Sequence, residues 1–201
     1  MQPTTNATTE PTTYATPQFV DGQLTRLRPV LDADLPAMAR LMAEAARGFS
    51  WEREPWTVQR LRKEFEDEKK PGLWHRDKRF FAITDHAGAL VGVLMEEQER
   101  SGRADIELHI AKSRTDRDAL GPDALATYVE YKRSWQHCPR ISTCVLEVQV
   151  AERAWLLACG FTHEMHCAEA WLYQGQVVAF DIYAWIPQWV RDNRAPDGIG
   201  Q

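Results

Sequence analysis

The chain contains no apolar run long enough to cross a bilayer, which excludes a helical membrane span, and no membrane partner is expected. Its first residues lack the basic start and apolar middle of a secretory leader, so a cytoplasmic protein is expected. The four cysteines, Cys138, Cys144, Cys159 and Cys167, form no Cys-x-x-Cys pair, and their spacing fits no zinc pattern. In a reducing compartment they are free thiols, expected mostly in the core. Basic excess is also missing. The 24 Lys and Arg against 29 Asp and Glu leave a net charge of −5, which argues against a nucleic-acid partner and mildly favours cationic substrates. Residues 1–21 are mostly Thr, Pro, Ala, Asn and Gln, with almost no large aliphatics. Such a segment cannot bury enough apolar surface to offset its ordering entropy, and a disordered tail is expected there. No internal repeat is present.

What remains is enough for one core. At 201 residues the chain suits a single domain over 22–190, with a short C-terminal tail at 191–201. Eight tryptophans are many for this length; they add core bulk and can line a binding cleft.

Residues 24–29 alternate as a strand. Asp32 or Asp34 can cap a helix with Pro36 in its first turn, a buried stripe of Leu35, Met38, Leu41, Met42 and Ala45, and an end at Gly48. Thr57 can cap a second helix bearing Val58, Leu61 and Phe65, which Pro71-Gly72 stops. Strands follow at 79–84, 89–94 and 106–110. A longer helix is predicted over 120–135, with Leu120, Ala124, Leu125, Tyr128, Val129 and Trp135 facing inward. The alternation of Val145, Glu147 and Gln149 with Leu146, Val148 and Val150 predicts a strand. Ala154, Trp155, Leu157 and Ala158 then mark a short helix, Gly160 supplies its left-handed end, and Gly175 turns a closing hairpin.

This order, β-α-α-β-β-β-α-β-α-β-β, with its Cys159-Gly160-Phe161 helix ending and a hairpin carrying Ala170, Trp171, Gly175, Asp181, Tyr183 and Trp185, resembles the GNAT superfamily of N-acetyltransferases. The hairpin is most similar to the branch that acetylates protein N-termini and related amines. The resemblance implies an α/β (α+β) GNAT fold: a mixed, mostly antiparallel sheet of six to seven strands with helices on both faces. It also implies that the strands at 106–110 and 145–150 splay apart to admit an acyl-thioester arm.

The implied activity is acyl-CoA-dependent, most simply acetyl-CoA-dependent, N-acyl transfer to a primary amine, by direct attack in a ternary complex. The acceptor would be a small molecule or a peptide, and the protein a monomer or homodimer. Two other readings share the fold: a silent binding or regulatory protein, and a transferase using a carrier-bound or tRNA-bound acyl donor.

Acyl transfer needs a base for the amine, a donor for the oxyanion and a hold on the thioester's pyrophosphate. Glu107 is the implied base, with His109 two residues on and so on the same face. Leu108 and Ile110 would offer backbone groups to the pantetheine arm. The family's phosphate-binding run, Arg/Gln-x-x-Gly-x-Gly/Ala, is altered here. Counted from the strand, Arg114 and Ala119 fall on its outer positions, with Arg117 in place of Gly. Counted back from the helix, Asp116 and Gly121 do.

Gln149 stands where the family has Asn, and Leu156 where it has an acidic Tyr. Tyr183, Tyr131 and Tyr173 are possible substitutes. Trp51, Glu52, Glu54 and Trp56, between the first two helices, would hold a cationic acceptor between aromatic walls. In His163-Glu-Met-His-Cys167, strand alternation puts residues 163 and 167 on one face and 166 on the other, and no metal is expected.

Overall fold

The computed structural model describes residues 19–45, 55–67, 77–98 and 101–193. Eight strands form one sheet: β1 (Val20–Asp21), β2 (Thr25–Pro29), β3 (Asp77–Asp85), β4 (Leu90–Gln98), β5 (Ala104–Ile110), β6 (Ile141–Leu146), β7 (Thr162–Tyr173) and β8 (Gln176–Trp185). Their spatial order is β1-β2-β3-β4-β5-β6-β8-β7. Among the described strands only β5 and β6 run parallel. Among the described residues there are five α-helices: α1 (Leu35–Ala45), α2 (Val58–Asp67), α3 (Arg117–Tyr131), α4 (Val150–Ala158) and α5 (Gln188–Asp192).

Local chemistry sets the helix starts. The Asp34 carboxylate accepts the Leu31 N–H at 2.8 Å and both terminal nitrogens of Arg28, at 2.6 and 2.9 Å, so the chain turns out of β2 into α1. Thr57 caps α2 as expected, its hydroxyl accepting the Arg60 N–H at 3.1 Å. The apolar stripes then bury opposite faces of the sheet. Leu35, Met38 and Met42 of α1 and Leu61 of α2 pack on Phe80, Val93 and Met95. Leu120, Leu125 and Tyr128 of α3 and Trp155 and Leu156 of α4 pack on Ile83, Leu94, Ile106, Ile141 and Val145. Helices on both faces and a mostly antiparallel sheet match the expectation.

The sheet departs from the expected six to seven strands. Val20 and Asp21, placed by composition in the N-terminal tail, pair with Leu27 and Arg26. The Arg26 guanidinium holds this short strand by an ion pair to Asp21 at 2.5 Å and by lying 4.6 Å from the Phe19 ring.

The strand predicted at 145–150 begins and ends earlier, at Ile141–Leu146. Glu147 and Val148 turn, and Gln149 is the N-cap residue of α4. Alternation continued through that turn and hid it. The helix predicted over 120–135 begins at Arg117 and gives way at Lys132–Gln136 to a π-turn. The wider turn rotates Trp135 off the inward stripe, and it is 55% exposed. The Gly48 and Pro71-Gly72 stops lie outside the described residues.

Candidate active site

β5 and β6 share a ladder of two pairs, Ala104↔Ile141 and Asp105↔Ser142, and then part. Which backbone groups face the opening follows from alternation along each strand. Ala104 N–H donates to the Arg140 carbonyl at 3.0 Å, toward β6, whereas Ala111 N–H donates to Val91 at 2.9 Å, toward β4. The Ile106 N–H closes the last ladder pair on Ser142, and the Ile106 C=O with the N–H and C=O groups of Leu108 and Ile110 turn into the fork. On the other wall Glu147 N–H bonds Ala179 of β8 at 3.0 Å, so Cys144 and Leu146 face the fork. Gln149 closes one of these gaps: its side-chain oxygen accepts the Leu146 N–H at 2.8 Å.

A cavity of about 510 Å³ occupies the fork and passes through the sheet. On one side its walls are Leu41, Met42 and Glu44 of α1, Trp56, Glu107 and His109; on the other, Arg117, Leu125, Trp155 and Leu156. Trp171 and Tyr173 of β7 complete the lining. Leu108 and Ile110, named from sequence as the arm-binding edge, also line it.

Glu107 and His109 lie opposite Met95 and Val93 in the β4–β5 register, which puts both side chains on the α1–α2 face. The His109 Nε2 is 3.4 Å from the Glu107 carboxylate. Burial pushes the Glu107 carboxyl up, but the His109 hydrogen bond and the charges of His109 and Lys78 outweigh it, leaving the group below its ordinary value. Its side chain is still 47% exposed, because an atom in a concave wall can reach solvent with protein around most of it.

Cys144 faces Glu107 across the fork. Each follows by two residues the last ladder pair, Asp105↔Ser142, whose side chains are bonded at 2.5 Å. Cys144 is exposed in the cavity and is not a core thiol; only Cys138 is fully buried, with Cys159 and Cys167 between. Crowding by protein, together with Glu107, Cys167 and Asp181, pushes the Cys144 thiol up to about 11.

The phosphate-loop residues are brought to the α3 N-terminus but are occupied there. Arg114 binds Asp116 through two nitrogens, at 2.8 and 2.6 Å, and lies 3.7 Å from Asp85. Arg117 pairs with Glu152 of α4 and stacks 4.6 Å over Trp155. Ala119 N–H is bonded to the Asp116 carbonyl at 2.9 Å. Gly121 is buried against Trp155, where an added Cβ would meet the indole at 2.5 Å, so this glycine serves helix packing. Neither sequence count places a glycine in the loop itself, since α3 begins at Arg117.

Trp51, Glu52 and Glu54 lie outside the described residues; Trp56 lines the cavity with Arg60 stacked 3.7 Å above it. Sequence reasoning missed Glu44, Cys144 and Trp155. Glu44 lies off the apolar stripe read for α1, and Cys144 was expected in the core with the other cysteines. Of the substitute tyrosines, Tyr173 alone lines this cavity.

His163 and His166 do share a partner, contrary to strict alternation. A register shift between His163 and Met165 lets both rings reach one Asp181 oxygen, at 3.1 and 2.8 Å, with Arg153 at 3.3 Å on the other. No group of three or more metal-ligand side chains is arranged to hold an ion among the described residues.

A sheet that forks between its one parallel pair, with helices on both faces, is the fold of the GNAT acetyltransferases, and solved members superpose on most of this chain. The spermidine N-acetyltransferase of Vibrio cholerae, solved with CoA and spermine, has a TM-score of 0.70 at 16% identity, covering 82% of this chain and 96% of its own. RimJ of Mycobacterium smegmatis, solved with CoA-disulfide, gives 0.65 at 20%, covering 83% of each. A GNAT-family acetyltransferase of Bacillus anthracis gives 0.66 at 11%, covering 84% and 98%. No protein-family model matches the chain, and no curated protein is similar to it in sequence.

Proposed function

We propose that the protein is an N-acyltransferase that moves an acyl group from a pantetheine thioester, with acetyl-CoA as its representative, to a primary amine. The observation behind this reading is the fork: one cavity joins the two faces of the sheet, with unpaired backbone on its edges and a carboxylate–imidazole pair on one face. Spermine bound to a protein of this fold makes an amine acceptor a natural choice.

The thioester arm enters from the α3–α4 side and bonds the even-numbered backbone groups of β5. The acceptor enters from the α1–α2 side, past Trp56 and Glu44. The amine nitrogen attacks the thioester carbon while Glu107, with His109 behind it, takes the proton. An N–H of the β5 edge stabilises the oxyanion. The C–S bond then breaks and the thiolate departs. No tyrosine is required, because thiols of pKa about 8.5 leave readily as thiolates.

Calorimetric titration with acetyl-CoA, followed by acetyl transfer to spermine and to a short peptide with a free N-terminus, tests the reading. Binding with transfer supports it. Binding without transfer to either acceptor favours a regulatory protein of the same fold, a reading motivated by Leu156 at the acid position.

A further inference from the structure

The α3 N-terminus would meet the nucleotide end of a CoA donor, and both of its arginines are already paired. Lys112, Arg114 and Arg117 are its cations. Against them stand Asp116 and Asp118 at the helix start, Glu152 on α4 and Asp85 at the end of β3. Three cations thus face four carboxylates. Arg114 is gripped at two nitrogens by Asp116. Arg117 is held by Glu152 and by the Trp155 face, and its side chain is only 21% exposed. Freeing either arginine for a phosphate leaves its carboxylate beside the incoming anion, and for Glu152 that carboxylate is partly buried. The glycine that would let backbone approach a phosphate is instead pressed on Trp155. The fork's backbone edge, by contrast, remains open along Leu108 and Ile110.

We infer that the donor is recognised by its pantetheine arm and not by its nucleotide diphosphate, so that an S-acyl pantetheine without the adenylate is a full substrate. The inference rests on the acyl-transfer reading and narrows it. The same arm can come free or as the phosphopantetheine of a carrier protein. The chemistry of the transfer is unchanged: the amine displaces a thiol, the N–C bond forms as the C–S bond breaks, and the amine proton balances the departing thiolate.

The test compares S-acetylpantetheine, acetyl-CoA and an acetylated phosphopantetheinyl carrier protein, by calorimetry and by transfer to spermine. A working phosphate cradle of two charge-assisted contacts would favour acetyl-CoA by about a hundredfold or more. The expected result is affinities and kcat/KM for acetyl-CoA and S-acetylpantetheine within about threefold of each other. Their ratio should stay flat as ionic strength rises from about 0.01 to 0.15 M, because phosphate contacts would be screened over that range. Carrier protein that binds tighter than S-acetylpantetheine assigns the source to a carrier; equal binding assigns it to the free arm. Acetyl-CoA favoured by more than about thirtyfold overturns the inference and leaves the acyltransferase reading standing. Silence of all three donors overturns both.

Discussion

Lys132 and Glu96 form an ion pair with no solvent exposure on either side chain, their atoms 2.7 Å apart. Tyr128 donates to the other Glu96 oxygen at 2.8 Å, and Lys132 donates also to Gln136 at 2.5 Å. Glu96 lies opposite Ile106, next to the point where β5 and β6 part, so the network ties the π-turn to the base of the fork. Lys132→Met keeps the stem's volume and strands a carboxylate in the core. Breaking one half of a buried pair costs about 3–5 kcal/mol. At roughly 2–4 °C per kcal/mol for a chain of this size, the melting temperature should fall by about 6–20 °C. Urea unfolding should show the midpoint moving at constant slope, the sign of lost stability and not of a changed unfolded state. The double variant Lys132→Met/Glu96→Gln should recover half or more, since no charge is then left unpaired in the core and the amide oxygen can still accept from Tyr128. A single variant within about 1 kcal/mol of the parent, or a double variant less stable than the single, would refute the view that paired charge holds this junction.

Glu107→Gln should lower the rate of acyl transfer per bound substrate by about 10²–10⁴, the usual worth of a general base, and leave acetyl-CoA affinity unchanged; parental turnover at neutral pH would remove Glu107 from the mechanism. Cys144 should alkylate slowly at neutral pH despite its exposure: a thiol pushed from 9.0 up to about 11 holds roughly 100-fold less thiolate than an unperturbed one. Its rate, followed by peptide mass, should climb about tenfold per pH unit, and a plateau below pH 9 would contradict the assignment. The Arg28 hydrogen bonds hold the Asp34 carboxyl below the ordinary 3.8, against the pull of burial, with help from the Leu31 N–H. That contribution is complete above pH 3.8 and is lost as pH falls through the lower folded-state value. Asp34→Asn should therefore cost about 1.5–3 kcal/mol near pH 7 and progressively less in acid; a gap that stays constant down to pH ~3 would show that the charge is not what matters.

Most of the architecture was readable because each element advertises its period. The 3.6-residue stripes of α1 and α2, the Thr57 cap and the left-handed Gly160 and Gly175 stand where patterning puts them, whereas α4 buries Trp155 and Leu156 and leaves the marked Ala154, Leu157 and Ala158 exposed. The errors arise where two periods meet. Glu147 and Val148 continue β6's alternation through a turn, and Trp135 continues α3's stripe into a π-turn. At the site, Glu107 and His109 were legible because strand parity alone puts them together. Whether Arg114 and Arg117 are available to a ligand was not legible. Asp116 is only two residues from Arg114, but Asp85 and Glu152 are 29 and 35 residues from Arg114 and Arg117, and only the packing of the end of β3 and of α4 brings them into contact. His166 was misassigned because a bulge leaves no mark in side-chain pattern.

The alternating edge of β5 gives the protein its own isotope clock. Along one strand, the amides of Glu107 and His109 are locked into the β4 ladder and that of Ile106 into the last β6 pair, while those of Leu108 and Ile110 open on the cavity. Deuterium should enter every second amide quickly and the ones between slowly, a sawtooth within seven residues that no uniform fraying can imitate. A donor arm lying in the fork would flatten that sawtooth from the fast side alone. Occupancy could then be read amide by amide, before any product is made and without knowing the acceptor.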